Sequence, residues 1–223
     1  ESSAEVINEE LSAEISKVEE EIQETAEEAA DEVVAEVEEV QETDKEIAYE
    51  RGIISTTGYE SEWMGLRYTA PEGFIMATEE ELLSIMGMST DMLSEDFNEL
   101  QLKYAEMSNL YEFMCMAADQ SANINVASEK LLLSNMTEEQ YVETLKTQLA
   151  DLTAMDITVN DKIEKSTLGG VEFTKLTSEV QYEGNSMYQE YYLHKNKGKM
   201  IVMAVTYTDE TAKDKILSGF AAY

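Results

Sequence analysis

An acidic segment at the start of the chain carries apolar side chains at every third or fourth position. The spacing runs 4, 4, 3 and repeats every 11 residues, which places one narrow apolar stripe along a long helix. The stripe consists of Ile7, Leu11, Ile15, Val18, Ile22, Ala26, Ala29, Val33, Val37 and Val40. Because residues 4–42 include neither Gly nor Pro, the pattern predicts one uninterrupted amphipathic helix.

A lone helix of this kind is stable only if it buries its apolar stripe. Two interpretations are open: the helix pairs with a second copy or a protein partner, or it lies along its own domain. A disordered acidic linker is a third alternative, and the regularity of the stripe argues against it. The periodicity stops at residues 42–45, which indicates an acidic helix over residues 1–46 and a domain over residues 47–223.

The rest of the chain alternates apolar runs with turn signals. Strand-like runs span 52–59, 65–68, 110–117, 123–128, 158–165, 171–181, 187–194 and 199–207. The last four are joined by links so short that they predict an antiparallel meander of hairpins. The run 110–117 is apolar on both alternating faces apart from Glu112, which is typical of a strand covered on both sides.

Three signals mark helix starts. Thr78 and Thr137 each open a capping box, and Asp209 caps a closing helix that is predicted to continue to Phe220. A weaker helical pattern over residues 94–104 places Phe97 and Tyr104 on one side. Strands covered on both faces need helices on both faces, so the predicted fold class is α+β, an antiparallel β-sheet flanked by helices in an α/β/α sandwich.

The start of the domain resembles the "GLxYxxPxGF" entry of PsbP-like domains. The matching residues are Gly65-Leu66, Tyr68, Pro71 and Gly73-Phe74. Further similar pieces follow in the same order: Asn123-Ile124-Asn125-Val126, Thr137 to Tyr141, Leu168-Gly169-Gly170, Phe173, Gln189 and Tyr191-Tyr192. The resemblance covers residues 52–223 and implies a non-enzymatic domain that binds or assembles beside larger partners, as in small secreted bacterial lipoproteins.

Charge narrows the choice of partners. The formal net charge is −33, and residues 1–50 alone hold 20 acidic and 2 basic side chains. A surface this negative repels phosphate backbones, so we expect no nucleic acid partner. No apolar run is long enough to span a membrane, and the chain begins with Glu1 rather than Met. We therefore expect a processed bacterial surface protein, which contacts a membrane only through a possible lipid anchor upstream of Glu1.

Candidate chemistry is sparse in this sequence. The single Cys115 lies in an apolar strand, and the single His194 ends a hairpin strand, so we expect a buried thiol and an exposed histidine without catalytic partners. No pattern of metal-ligand or nucleotide-binding residues points to a cofactor, and the paired methionines are typical of core filling. We therefore expect no cofactor, no catalytic residue and no metal site.

Two alternatives to a binding module stay open. A small-ligand carrier is one, in which Tyr188, Tyr191, Tyr192 and Tyr207 together line a ligand-binding surface of the sheet. A cell-wall-directed hydrolase with an unrecognised carboxylate pair is the other. With 48 acidic residues some pair always qualifies by chance, so the sequence singles out no pair.

Overall fold

A computed structural model describes residues 49–94, 97–131, 133–152, 156–182 and 185–223. The predicted helix over residues 4–42, its apolar stripe and the boundary near residue 46 lie outside the described residues. Within the described chain, twelve strands and four α-helices form an α+β structure, which confirms the predicted class. All strand pairs are antiparallel.

A small sheet of four strands combines three strands from the beginning of the described domain with one strand from its end. Its strands, in spatial order, are β1 (Ile53–Ser55), β2 (Gly58–Ser61), β3 (Leu66–Thr69) and β12 (Phe220–Ala222). Phe220 therefore lies in a short strand against β3 rather than in the closing helix, which corrects the prediction. The predicted strand 52–59 is also wrong, because Thr56 and Thr57 form a turn that folds it into the β1–β2 hairpin.

A large sheet of eight strands forms the centre of the domain. Its spatial order is β4 (Phe74–Met76), β5 (Asn109–Ala117), β6 (Ala122–Lys130), β11 (Lys199–Tyr207), β10 (Asn185–Asn196) and β9 (Val171–Tyr182). Two short strands, β7 (Asp156–Val159) and β8 (Glu164–Leu168), pair with the far side of β9. The meander β8–β9–β10–β11 confirms the predicted hairpins, whereas the run 158–165 is split between two strands.

The helices are α1 (Glu79–Ile85), α2 (Phe97–Glu106), α3 (Glu138–Asp151) and α4 (Glu210–Leu217). Both predicted capping boxes are present: the Thr78 side chain accepts from the Glu81 amide and the Thr137 side chain from the Gln140 amide. In α2, Tyr104 is buried, whereas Phe97, two turns earlier at the start of the helix, is 57% exposed.

The large sheet is covered on both faces, but by different layers. On one face, Phe113, Ile201 and Met203 pack against the small sheet and α4. On the other face, Leu193 and Met200 pack against α3. The expected sandwich therefore has a helix layer on one side and a mixed layer of sheet and helix on the other, because four short strands of the domain's ends pair with each other rather than extending the large sheet.

Candidate functional site

A β-bulge in the central strand β5 places a carboxylate between the two sheets. The register of β5 against β6 shifts between Tyr111 and Phe113, so Glu112 is an extra residue in the ladder. A bulge of this kind changes the direction of a side chain relative to strict alternation. Glu112 is fully buried and contacts the small sheet, on the same side as Phe113.

Two tyrosine hydroxyls bond to the two oxygens of Glu112. Tyr49 Oη donates to Oε1 at 2.6 Å, and Tyr59 Oη donates to Oε2 at 2.7 Å. Burial and the charge of Glu112 raise the pKa of both Tyr49 and Tyr59, so both hydroxyls stay protonated and act as donors. Ser128 Oγ in turn lies 3.4 Å from Tyr49 Oη.

Beside this carboxylate, a buried arginine links four parts of the domain. Arg51 forms an ion pair with Glu79 at the start of α1, and its Nη2 donates to the Tyr111 carbonyl at 2.7 Å. The guanidinium lies 4.6 Å from the ring centroid of Tyr104 in α2, whose hydroxyl donates to Glu79 at 2.6 Å. Arg51 is 3% exposed, so this pair is held largely away from water.

A buried lysine completes the group on the side of the large sheet. Lys199 Nζ lies 4.4 Å from the ring centroid of Tyr49 and donates to the Met107 carbonyl at 3.2 Å. Burial lowers the pKa of Lys199, and the charge of Glu112 partly opposes that effect. We call the whole group the Glu112 cluster: Tyr49, Arg51, Tyr59, Glu79, Tyr104, Glu112, Ser128 and Lys199.

The Glu112 cluster is suited to holding structure together. Both oxygens of Glu112 already accept a hydrogen bond, and Arg51 is occupied by a carboxylate and a carbonyl. A buried carboxylate whose two oxygens both accept hydrogen bonds is costly to rearrange. Because Tyr49 and Arg51 begin the described chain, the cluster anchors the point where residues 1–48 join the domain.

A second buried carboxylate, Glu190, lies on the same face of the large sheet. It accepts hydrogen bonds from the Tyr192 and Tyr207 hydroxyls, and its Oε1 lies 3.8 Å from Lys175 Nζ and 3.6 Å from Lys213 Nζ. Two lysines and two hydroxyls satisfy this carboxylate, so it ties α4 to strands β9 and β10.

A third buried carboxylate, Glu129, lies on the opposite face beneath α3. Its Oε2 accepts a hydrogen bond from the Tyr141 hydroxyl, and its Oε1 has no hydrogen-bond partner within the described residues. Burial raises the pKa of Glu129 from 4.5 to about 7, more than the Tyr141 hydroxyl lowers it. Of Glu112, Glu190 and Glu129, only Glu129 has an unsatisfied carboxylate oxygen within the described residues.

The four tyrosines proposed for a ligand surface do not share one. Tyr191 packs against the layer of α3, whereas Tyr192 and Tyr207 pack on the side of the small sheet. Tyr188 is 39% exposed and its ring stacks on Tyr207 at 5.6 Å. Adjacent residues in a strand point to opposite faces, so Tyr191 cannot join Tyr188, Tyr192 and Tyr207 in the tyrosine-lined surface that the small-ligand alternative requires.

Cys115 and His194, the remaining candidates for catalytic chemistry, both pack into the described domain. Cys115 is 1% exposed, as expected, and burial raises the pKa of its thiol. His194 is half-buried rather than exposed: its ring contacts Phe173 at 5.5 Å and its Nδ1 lies 3.5 Å from a Glu138 oxygen. Across the described ranges, no three His, Cys, Asp or Glu side chains converge as metal ligands. In the same ranges no helix combines the length and apolarity needed to cross a membrane.

Sequence reasoning missed most of the Glu112 cluster. The available signal was a single acidic residue inside an otherwise apolar strand, because such a residue is buried only with partners. Its partners Tyr49, Tyr59 and Lys199 come from the segment before β1, from β2 and from β11, and nothing in their local pattern marks them.

Neither a protein-family model nor a curated protein sequence matches the chain. Among solved structures, the solution structure of cyanobacterial PsbP from Synechocystis sp. PCC 6803 matches with a TM-score of 0.44 and 13% identity, covering 82% of this chain and 98% of that one. The family whose motifs the sequence resembles is thus represented among the solved structures that are similar to this chain.

Two further solved structures resemble the chain. LpqN, involved in cell envelope biogenesis of Mycobacterium tuberculosis, matches with a TM-score of 0.40 and 12% identity, covering 70% of this chain and 82% of its own. A crystal structure from Bacteroides thetaiotaomicron VPI-5482 matches with a TM-score of 0.41 and 11% identity over 76% of this chain. The present chain spans about half of that protein, at 49%.

Proposed function

We propose that the chain is a non-catalytic extracytoplasmic module that binds a protein partner or stabilises an assembly. In this proposal, residues 1–46 provide the binding element and residues 47–223 provide the body that carries it. The observation that carries the proposal is the apolar stripe of ten positions on an otherwise acidic segment. A stripe this regular has to be covered, and a second helix or a protein groove covers it best.

The described domain supports a structural role for its charged residues. Glu112 and Glu190, two of its buried acids, bond to tyrosines and face lysines or arginines of the same domain. Charged groups that are hydrogen-bonded within the domain in this way hold its elements in place and leave few free atoms for binding a substrate. The resemblance of the sequence motifs to PsbP-like domains implies the same kind of non-enzymatic role.

The proposal is tested by introducing charge into the stripe of the full chain. We expect Ile15→Glu with Ile22→Glu to abolish self-association or partner capture, because two glutamates in the stripe have to be desolvated in any interface. Ser16→Glu with Gln23→Glu is the matched control, since it adds the same charge one residue away from each stripe position.

Sedimentation velocity gives the mass of each variant, and affinity capture from the source cells gives the partner. Loss of association in the stripe variant alone supports the proposal. If the wild-type chain is monomeric, captures nothing and behaves as both variants do, the stripe is not a binding element and the proposal fails.

The extracytoplasmic location is a separate part of the proposal. A processed bacterial surface lipoprotein requires a signal peptide and a lipid-modified cysteine upstream of the present Glu1. We expect cells that express the full-length gene to incorporate labelled palmitate into this protein. We also expect protease added to intact cells to digest the protein. A protein that carries no palmitate label and is found only in the cytoplasmic fraction would exclude an extracytoplasmic location.

A further inference from the structure

Helices α1 and α2 enclose a small apolar cluster beside the main core. Leu83 of α1, Tyr104 of α2 and Leu110 of β5 are its buried members. Between the two helices the chain passes through a turn at Gly87, whose φ is +66°, and a 3₁₀ helix, Thr90–Ser94. One side of this cluster is therefore covered by short and irregular segments rather than by a long helix.

Methionines form much of the outer layer of this cluster. Met86, Met88 and Met92 are half-buried and pack against its buried members, as does Leu100 of α2. Phe97 lies one helical turn before Leu100, on the same side of α2, and is exposed. We call these five residues the methionine surface. Because methionine side chains are flexible and polarizable, such a surface adapts to the shape of a partner.

Exposed apolar side chains are concentrated in the same part of the chain. Among the described residues, four large ones lie within residues 85–102: Ile85, Leu93, Phe97 and Leu102. Two of them directly adjoin Met86 and Met92 in the sequence and extend the methionine surface. Leu102 lies on another side of α2, about 140° around the helix from Phe97. A contiguous exposed apolar surface on a folded domain marks a site of interaction.

Charge around the methionine surface selects the partner. Residues 79–106 hold eight acidic side chains and one basic side chain, Lys103, whereas the rest of residues 51–223 holds 20 acidic and 12 basic ones. The excess of acid is therefore local, and it favours a partner whose apolar side chains are flanked by lysine or arginine. The chain's own residues 1–50, with 20 acidic and 2 basic side chains, are repelled, and so is a second copy with a net charge of −33.

We propose that the methionine surface binds a cationic amphipathic helix of another protein. One face of such a helix lays its apolar side chains against the methionines and Phe97, while basic side chains at the edges of that face meet the acids of residues 79–106. This binding site lies on the body of the domain. It differs from the acidic segment under Proposed function both in position and in the charge of the partner that it accepts.

Methyl NMR of the full chain, labelled with ¹³C-methyl methionine, tests the proposal. The probe is a synthetic peptide of leucine and lysine in heptad order, about 18 residues long, and its twin has glutamate in place of lysine. We expect the leucine–lysine peptide to shift the methyl signals of Met86, Met88 and Met92, and to leave those of the fully buried Met200 and Met203 unchanged. Single Met→Leu variants assign the signals. Raising NaCl from about 20 to 300 mM should weaken the binding about fivefold, because salt screens the exposed charges.

Two variants of α2 separate the methionine surface from the remainder of the helix. Phe97→Ser should weaken binding of the leucine–lysine peptide about tenfold, because it removes an aromatic side chain from the interface. Leu102→Ser is the matched control and should leave the affinity unchanged, since Leu102 is 66% exposed in the same helix but lies on another side. Circular dichroism confirms that both variants are folded.

The outcomes separate the possible occupants. Equal shifts with the glutamate twin, no shift with either peptide, or an equal loss of affinity in both variants would overturn the proposal, since the surface would then not select a cationic helix. Methionine shifts that depend on protein concentration without peptide would identify a second copy as the occupant. Shifts of the same signals in the peptide-free Ile15→Glu and Ile22→Glu variant would identify the chain's own acidic segment. Either result would also overturn the proposal.

Discussion

A fully buried carboxylate such as Glu112 destabilises a fold unless protein donors replace the water it has lost. Here the donors are two phenolic hydroxyls from different elements, one from β2 and one from the residue that starts the described chain. Hydrogen bonds to a charged group contribute about 1.5–3 kcal/mol each, more than bonds between neutral groups. At the residue scale, Glu112 therefore links the large sheet directly to β2 of the small sheet and to Tyr49.

We predict that Tyr49→Phe and Glu112→Gln each lower the free energy of unfolding, by about 1–3 kcal/mol. Their combination should cost less than the sum of the two, because glutamine keeps one acceptor oxygen, and that oxygen is left to Tyr59 alone once the Tyr49 hydroxyl is gone. Urea unfolding of the four forms measures this coupling. Tyr188→Phe, at a half-exposed hydroxyl, is a control with an expected cost near zero. Strict additivity would show that the bond contributes nothing to stability.

Glu129 gives a prediction with a defined pH dependence. Its folded pKa is about 7 against an ordinary 4.5, so the folded state binds this proton more tightly than the unfolded state. The stabilisation from the bound proton is complete below pH 4.5 and is lost as the pH rises through about 7. The loss is on the order of 3 kcal/mol by the usual 1.36 kcal/mol per pKa unit.

We predict that Glu129→Gln flattens the pH profile of stability between pH 5 and 8 and is more stable than the wild type at pH 8. Glutamine keeps an oxygen for the Tyr141 hydroxyl but cannot ionise. Chemical unfolding at several pH values measures this, with the exposed Glu80→Gln as control. An unchanged slope in Glu129→Gln would assign the pH dependence to other groups.

At the scale of elements, the β8–β9 turn joins the two sheets. Gly169 has a φ of +55°, and a Cβ there would lie 2.6 Å from the Ala221 carbonyl oxygen of β12 and from a Leu66 methyl of β3. Gly198, in the β10–β11 turn, also has a positive φ, but a Cβ there would meet nothing within 4 Å. The two glycines therefore separate backbone strain from steric crowding.

We predict that Gly198→Ala costs about 1 kcal/mol of strain, whereas Gly169→Ala costs about 2–4 kcal/mol because crowding adds to it. Thermal unfolding of both variants measures the difference. Equal melting temperatures would mean that the small sheet moves aside at no cost and that the turn is not a fixed contact.

The elements also show what the sequence predicts well. The capping boxes at Thr78 and Thr137 and the short links of the meander are local signals, and the structure confirms them. Strands β4 and β12 were missed because each has three residues and exists through its partner strand rather than its own pattern. The bulge at Glu112 was missed for a similar reason, since it depends on the register with β6.

At the scale of the whole molecule, acidic repulsion opposes the compact state. The net charge of −33 is spread over 48 acidic and 15 basic side chains, and most of the acids are exposed on general grounds. Raising the salt concentration screens this repulsion, whereas the buried ion pairs of Arg51 and Glu190 are screened much less.

We predict that the melting temperature rises by a few degrees between 10 and 200 mM NaCl. Differential scanning calorimetry measures it, and glycerol at matched osmolality controls for non-ionic effects. A fall with salt would mean that exposed attractive pairs outweigh the general repulsion.

The one thiol of the chain lies in β5 beneath Tyr68, where the large and small sheets face each other. A reagent reaches its sulfur only after those layers have separated. The rate of Cys115 alkylation therefore measures how often the two sheets separate, and it requires no engineered label. A slower alkylation rate in the presence of a partner would show that binding elsewhere on the chain stabilises the contact between the two sheets.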